Sequence, residues 1–155
     1  MKTRRAGFTL VETLVSLGIL AILSTVILMI VFIVLRSSDK VEKTKLIKQN
    51  GEIVISVMTD FIRQAELINC LGDRIEVKVK GGSTVFSRQY DDEGKTWRIA
   101  SNSAYLTSGE VSCEDNLEFS CGEVGNSLTL VNFTFDLSSG DQLNSFRGRA
   151  LQLYR

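Results

Sequence analysis

GFTLVETLVSLGILAILSTVILMIVFIVL, residues 7–35, is the stretch that decides the fold. From Leu14 to Leu35 it runs 22 residues without a charge, mostly Leu, Ile and Val. As a helix these residues span roughly 33 Å, enough for a bilayer core of about 30 Å. Ser16, Gly18, Ser24 and Thr25 interrupt the apolar surface only mildly, because a helical hydroxyl can bond back to the preceding turn. A secretory signal peptide has a shorter apolar core, about 7–15 residues, and a small-residue cleavage site. Here the run is longer and leads into Arg36 and Asp39-Lys40, so a retained membrane helix is expected. A basic leader, Met1 to Ala6, precedes the stretch, and a single acid, Glu12, stands at its head. An acid at the centre of a membrane helix costs about 2.5–3.5 kcal/mol, and less near the interface. A headgroup position would account for Glu12 without further function.

The totals restrict what else the chain can be. With 155 residues, subtracting a membrane segment leaves one modest domain. Formal net charge is zero, which implies no broad basic surface and gives no charge basis for nucleic acid as a partner. Histidine is absent, which removes the commonest general base and metal ligand. Proline is absent too, so long helices are free of their strongest breaker.

Beyond the span, Leu46, Ile47, Val54, Val57, Met58, Phe61, Ile62, Ala65 and Ile68 recur at three- and four-residue steps. That is an amphipathic helical pattern. Gly51 within it is a tolerable cost of about 1 kcal/mol. Asn69, Leu71 and Gly72-Asp73 supply a stop, so the helix is expected to reach about Cys70 and to be roughly 90 Å long if unbroken. After Gly72 the period changes to two. Ile75, Val77 and Val79 alternate with charged residues as a half-buried strand, and Gly81-Gly82 signals a hairpin to Val85–Tyr90. Asp91-Asp92-Glu93-Gly94 turns the chain into 95–99, and 117–120, 128–137 and 150–154 are further strands. Residues 101–111 and 138–145 read as loops. The expected fold class is α+β, with the second half of the helix across one antiparallel sheet of four to six strands.

Gly7-Phe8-Thr9-Leu10-Val11-Glu12, between a short basic leader and a long apolar run, resembles the N-terminus of type IV prepilins and pseudopilins. The resemblance implies cleavage after Gly7 by prepilin peptidase, N-methylation of the new terminal residue Phe8, and a role for Glu12 in subunit assembly. It divides the chain into a leader (1–7), a transmembrane and filament-core helix (8–35), an amphipathic continuation (36–71) and a globular β domain (72–155). Cleavage would create an α-amino group with a reference pKa of about 7.7–8.0. In a filament that amine could neutralise the Glu12 carboxylate of a neighbour, rewarding one axial offset. Many pilins carry Pro or Gly midway along this helix. Here only Gly18 weakens the span, which departs from that pattern. The phrase Thr59-Asp60-Phe61-Ile62-Arg63-Gln64-Ala65 resembles the minor subunits of these systems.

Elsewhere the candidate chemistry is sparse. Cys113 and Cys121 enclose a short loop, and a disulfide there would stabilise by roughly 2–3 kcal/mol in the chain-entropy model. Cys70–Cys121 or Cys70–Cys113 would instead tie the helix end to the sheet, and three unpaired buried cysteines are the remaining option. A catalytic cysteine lacks a histidine to activate it. Some pseudopilins bind calcium, but Asp91–Gly94 lacks the spaced ligands of an EF-hand and reads as an acidic turn in water. No metal or other cofactor is expected. Phe86, Tyr90 and Trp97 on adjacent strands suit a stacking surface or, more commonly, sheet core. Asn132-Phe133-Thr134 fits a glycosylation sequon but lies within a strand. Lys40 to Lys48 could touch anionic headgroups or form a solvated helix face.

The expected function is structural, not enzymatic: a subunit, minor in type, of a type IV pilus or related filament. A minor pseudopilin of a type II secretion or DNA-uptake system uses the same N-terminal physics. A single-span anchored binding protein that never polymerises is the alternative of a different class. The implied partners are prepilin peptidase, other pilin or pseudopilin subunits, the inner-membrane assembly platform, and lipid before assembly. The implied location is the membrane, N-terminus cytoplasmic, and after assembly an extracellular or periplasmic filament. Basic residues near the two ends of the span do not favour that orientation, because Arg36, Lys40, Lys43, Lys45 and Lys48 outnumber Lys2, Arg4 and Arg5.

Overall fold

A computed structural model of the chain describes residues 9–113, 116–124 and 128–153. It divides into two compact units, Met1–Val41 and Glu42–Arg155. The class is α+β: one long helix, α1 (Leu10–Arg63, 54 residues), and two antiparallel sheets. The first sheet has the order β1-β2-β3-β4-β5, from β1 (Leu67–Cys70), β2 (Arg74–Val79), β3 (Gly82–Asp91), β4 (Thr96–Ser101) and β5 (Ala104–Tyr105). The second has the order β6-β7-β8, from β6 (Leu117–Val124), β7 (Leu128–Ser139) and β8 (Gln142–Leu151).

In the first unit α1 makes no tertiary core; every described residue from Thr9 to Val41 is exposed. In the second unit the helix supplies Ile47, Val54, Met58 and Ile62 to a core that both sheets share. Leu46, Val57, Phe61 and Ile68 pack at its margin. The predicted stripe is therefore the core-facing stripe. Two residues within it are not apolar. Asn50 is buried, donates from Nδ2 to the Leu46 carbonyl at 2.8 Å, and accepts at Oδ1 from Ser108 N–H at 2.7 Å. Gly51 is also buried, against the ring of Phe146 on β8.

The helix ends at Arg63, not near Cys70, so the expected continuation over 36–71 is corrected at its C-terminal end. Helix-end carbonyls need partners, and the chain after β8 provides them. Leu153 N–H bonds the Arg63 carbonyl at 3.1 Å, and Gln152 Nε2 donates to the carbonyls of Ala65 and Glu66 at 2.9 and 3.2 Å. Glu66 N–H then bonds Lys78 at 2.7 Å, committing the chain to β2's edge. Ile68 and Cys70 point inward from β1 while Leu67 and Asn69 face out, so an apolar residue that also suited the helix serves a strand.

One expected sheet is two. Pairing continues from β1 to β5, but Val111–Cys113 then leaves the first sheet for the second. Cys113 N–H bonds Trp97 at 2.7 Å, while Ser112 and Ser138 exchange backbone bonds at 2.8 Å. The Gly81-Gly82 hairpin forms as expected, with both residues at positive φ (133° and 157°), where a side chain would be strained. The expected loop over 138–145 is only a turn at Gly140-Asp141, because β8 begins at Gln142 and continues β7's register through Leu151. Residues 101–111 are mostly turn, with the two-residue β5 inside them.

Candidate functional site

The segment expected to carry function leads into the start of α1. Gly7 and Phe8 lie outside the described residues. Thr9 sits just before the helix and acts as its N-cap. Glu12 N–H bonds the Thr9 carbonyl at 3.1 Å and Thr9 Oγ1 at 3.3 Å, and Thr13 N–H bonds the same carbonyl at 3.2 Å. A threonine followed three residues later by glutamate is the pattern of a capping box. The carboxylate also lies in the first turn, where the helix dipole favours negative charge. Thr9 was not among the expected site residues, although its spacing to Glu12 is the signal that marks it.

Among the described residues, nothing covers the span that follows. Large apolar side chains from Leu10 to Leu35 are 47–77% exposed. Fully burying one such side chain is worth about 1.5–3 kcal/mol, so more than a dozen in sequence favour an apolar environment, such as lipid or other apolar helices. The helix is long and apolar enough to cross a membrane. Its hydroxyls are already satisfied. Thr13 Oγ1 donates to Leu10, Ser16 Oγ to Glu12, Ser24 Oγ to Leu20 and Thr25 Oγ1 to Ile22, all at 2.7–2.8 Å. No hydroxyl among these is left to water, as the interior of a bilayer requires. The helix also continues through Gly18 without a break.

The other candidates resolve differently. Cys121 pairs with Cys70, across a Cα–Cα distance of 6.0 Å, and not with Cys113. Cys113 is buried with its thiol outside the disulfide. The expected Cys113–Cys121 loop is thus corrected: β6 runs beside β1, which brings Cys121 to Cys70, while the Cys113 backbone is held to Trp97. In the acidic turn, Asp91 is buried and accepts from Arg98 Nη1 at 2.8 Å and from Glu93 N–H at 3.2 Å. The Arg98 hydrogen bond, aided by the Gly94 and Glu93 backbone, holds the Asp91 carboxyl below its usual value of 3.8 against the opposing effect of burial. Arg98 also donates to the Thr107 carbonyl, so the turn's first acid is engaged in a local network.

The three aromatics separate. Phe86 is core, edge-on to Phe61 at 5.5 Å, whereas Tyr90 and Trp97 are exposed and meet edge-on at 5.3 Å. Arg88 lies 4.7 Å over the Trp97 ring, and both border a cleft of about 660 Å³ with Asp73, Asn116 and Glu118. No sequence pattern marked that cleft, because its walls come from separate elements. Asn132 of the sequon accepts from Arg149 Nε at 2.9 Å within the second sheet. Of the basic helix face, Lys43 lies 3.9 Å from Asp141.

Residues 2–28 match a family model described as the prokaryotic N-terminal methylation motif, the signature of type IV prepilins and pseudopilins. No curated protein and no solved structure matches the chain. The motif supports a type IV pilin-like or pseudopilin subunit, a structural component processed by prepilin peptidase and assembled with other pilins. With the long apolar helix, it supports membrane anchorage before assembly.

Proposed function

We propose that the chain is a minor-type subunit of a type IV pilus or related filament. It is cut between Gly7 and Phe8, methylated at Phe8, and held in register by Glu12. The observation that carries this reading is the coincidence of the methylation motif at residues 2–28 with an uncovered apolar helix beginning at Leu10. Before assembly, lipid covers the helix, with the N-terminus on the cytoplasmic side and Glu42–Arg155 exported. After assembly, the same side chains pack against the helices of neighbouring subunits, so one surface serves two environments in turn. A buried carboxylate without a partner is expensive, and the α-amino group released at Phe8 is the cation that cleavage supplies. Polymerisation then selects the offset at which a neighbour's amine meets Glu12.

Mass spectrometry of the mature protein tests the reading. The expected N-terminal peptide begins at Phe8 and carries one added methyl group. A mature protein that retains Met1–Gly7 would mean a non-polymerising membrane-anchored protein instead.

A further inference from the structure

The strands at the sheet edges are not alike. β1 and β5 are four and two residues long, and short edges are one way in which sheets avoid pairing with other chains. β6 gives Phe119 N–H to the Gly72 carbonyl at 2.7 Å and is tied to β1 through Cys121. β8 is ten residues long, and its register with β7 runs unbulged from Gln142 to Leu151.

The direction of β8's backbone groups follows from bonds nearby. In an antiparallel ladder, opposed residues alternate between pairs that exchange both bonds and pairs that exchange none. Gln152 donates to Thr129 at 2.9 Å on the β7–β8 register, so even-numbered residues of β8 bond β7. On β7's other side, Asp136 donates to Asn116 and Ser138 exchanges bonds with Ser112, so even-numbered residues of β7 face away from β8. The two assignments agree. Leu143, Ser145, Arg147, Arg149 and Leu151 therefore aim N–H and C=O away from the sheet. The open stretch ends at Leu153, whose N–H bonds Arg63. Side chains of the same five residues share the outer face, roughly 7 Å apart in succession, and the four from Leu143 to Arg149 are exposed. They read apolar, hydroxyl, basic, basic, apolar.

We propose that β8 is a docking edge for an extended segment of a different protein chain, with acids at two alternate positions between apolar residues. The segment would extend the second sheet by a fourth strand, the main chain supplying affinity and the outer row specificity. A second copy of β8 is disfavoured, because antiparallel pairing centred on Gly148 sets Arg147 of each copy opposite Arg149 of the other, pairing centred on Arg147 sets that residue opposite itself, and like charges opposite one another destabilise a ladder. Such docking needs neither cleavage at Gly7 nor a filament.

Amide hydrogen exchange on the full chain in detergent micelles tests this, with the peptide Leu-Thr-Glu-Thr-Glu-Thr-Leu and its lysine counterpart as probes. The acidic peptide should slow the amides of Ser145, Arg147 and Arg149 at least about tenfold and leave Phe146 and Gly148 unchanged, since those already bond β7. The lysine peptide should have no effect, and Arg147→Glu with Arg149→Glu should reverse the preference. Unchanged exchange of the buried Phe133 and Phe135 amides verifies that the double variant is folded. Equal slowing by both peptides, no slowing by either, or protection that grows with protein concentration alone would each overturn the proposal.

Discussion

At the scale of a residue, the observed role of Glu12 and its proposed one are separable. Its backbone N–H completes the Thr9 cap, whereas the proposed register in a filament would use its charge. Glutamine suits the third helical position of a capping box as well as glutamate, so Glu12→Gln removes the charge and keeps the helix start. Thr9→Ala does the reverse, weakening the start by about 1 kcal/mol and leaving the carboxylate. Breaking a buried ion pair costs about 3–5 kcal/mol. Incorporation of Glu12→Gln into sheared filaments, measured by immunoblot against the membrane-held pool, should fall to below about a tenth of wild type. Thr9→Ala should assemble nearly normally. The opposite ranking would assign Glu12 to capping alone. Glu12 stands out in the sequence because one charge heads an apolar run. Thr9 does not stand out by itself, because its capping role shows only in its three-residue spacing to Glu12.

At the scale of an element, two glycines allow close approach. A Cβ on Gly51 would fall within the Phe146 ring, and one on Gly148 within the Phe133 ring. Phe146 is itself stacked on Phe135 at 5.2 Å, and Phe133 is fully buried. Helix propensity alone would have Gly51→Ala stabilise by about 1 kcal/mol. Overpacking costs about 1–3 kcal/mol, and the stacked ring has little room to retreat. The expected result is a net loss of about 1 kcal/mol for Gly51→Ala and about 2–3 kcal/mol for Gly148→Ala, read from urea midpoints of the full chain in detergent. A stabilised Gly51→Ala would show that Phe146 moves freely. The same elements show what the sequence could disclose. The apolar stripe from Leu46 to Ile62 announced the core face of α1, and the alternation at Ile75–Val79 announced β2. Most of β8 stayed hidden, because its inward positions Gln142, Asn144, Phe146 and Gly148 do not alternate apolar with polar. Gly148 is inward for the room it leaves, not for its hydrophobicity. The true end of α1 was hidden for a related reason: the Arg63 carbonyl is met by Leu153, and those of Ala65 and Glu66 just beyond the helix by Gln152, residues about 90 positions further on.

At the scale of the whole molecule, the split into two sheets leaves a joint that local patterns could not reveal. Backbone bonds from Phe119 to Gly72 and from Cys113 to Trp97 hold that joint, and Cys70–Cys121 crosses it covalently. The cysteines are 51 residues apart, and the loop they close contains β2 to β5. The chain-entropy model assigns such a loop about 4 kcal/mol, within a usual range of about 2–4 kcal/mol. A Cys113–Cys121 bond would close a loop inside one edge of the joint and leave the first sheet untied. The two pairings therefore differ in what they protect. Peptide mapping without reductant should recover Cys70 linked to Cys121. Cys70→Ser with Cys121→Ser should lower the urea midpoint by the equivalent of about 2–4 kcal/mol, and reduction of the wild type should reproduce that shift. Cys113→Ala, which removes one small buried sulfur, should cost about 1 kcal/mol and leave the cross-link intact. If Cys113→Ala abolishes the cross-link, β6 does not lie beside β1. Phe119 could then not bond Gly72, and of the two backbone bonds across the joint only that from Cys113 to Trp97 would remain.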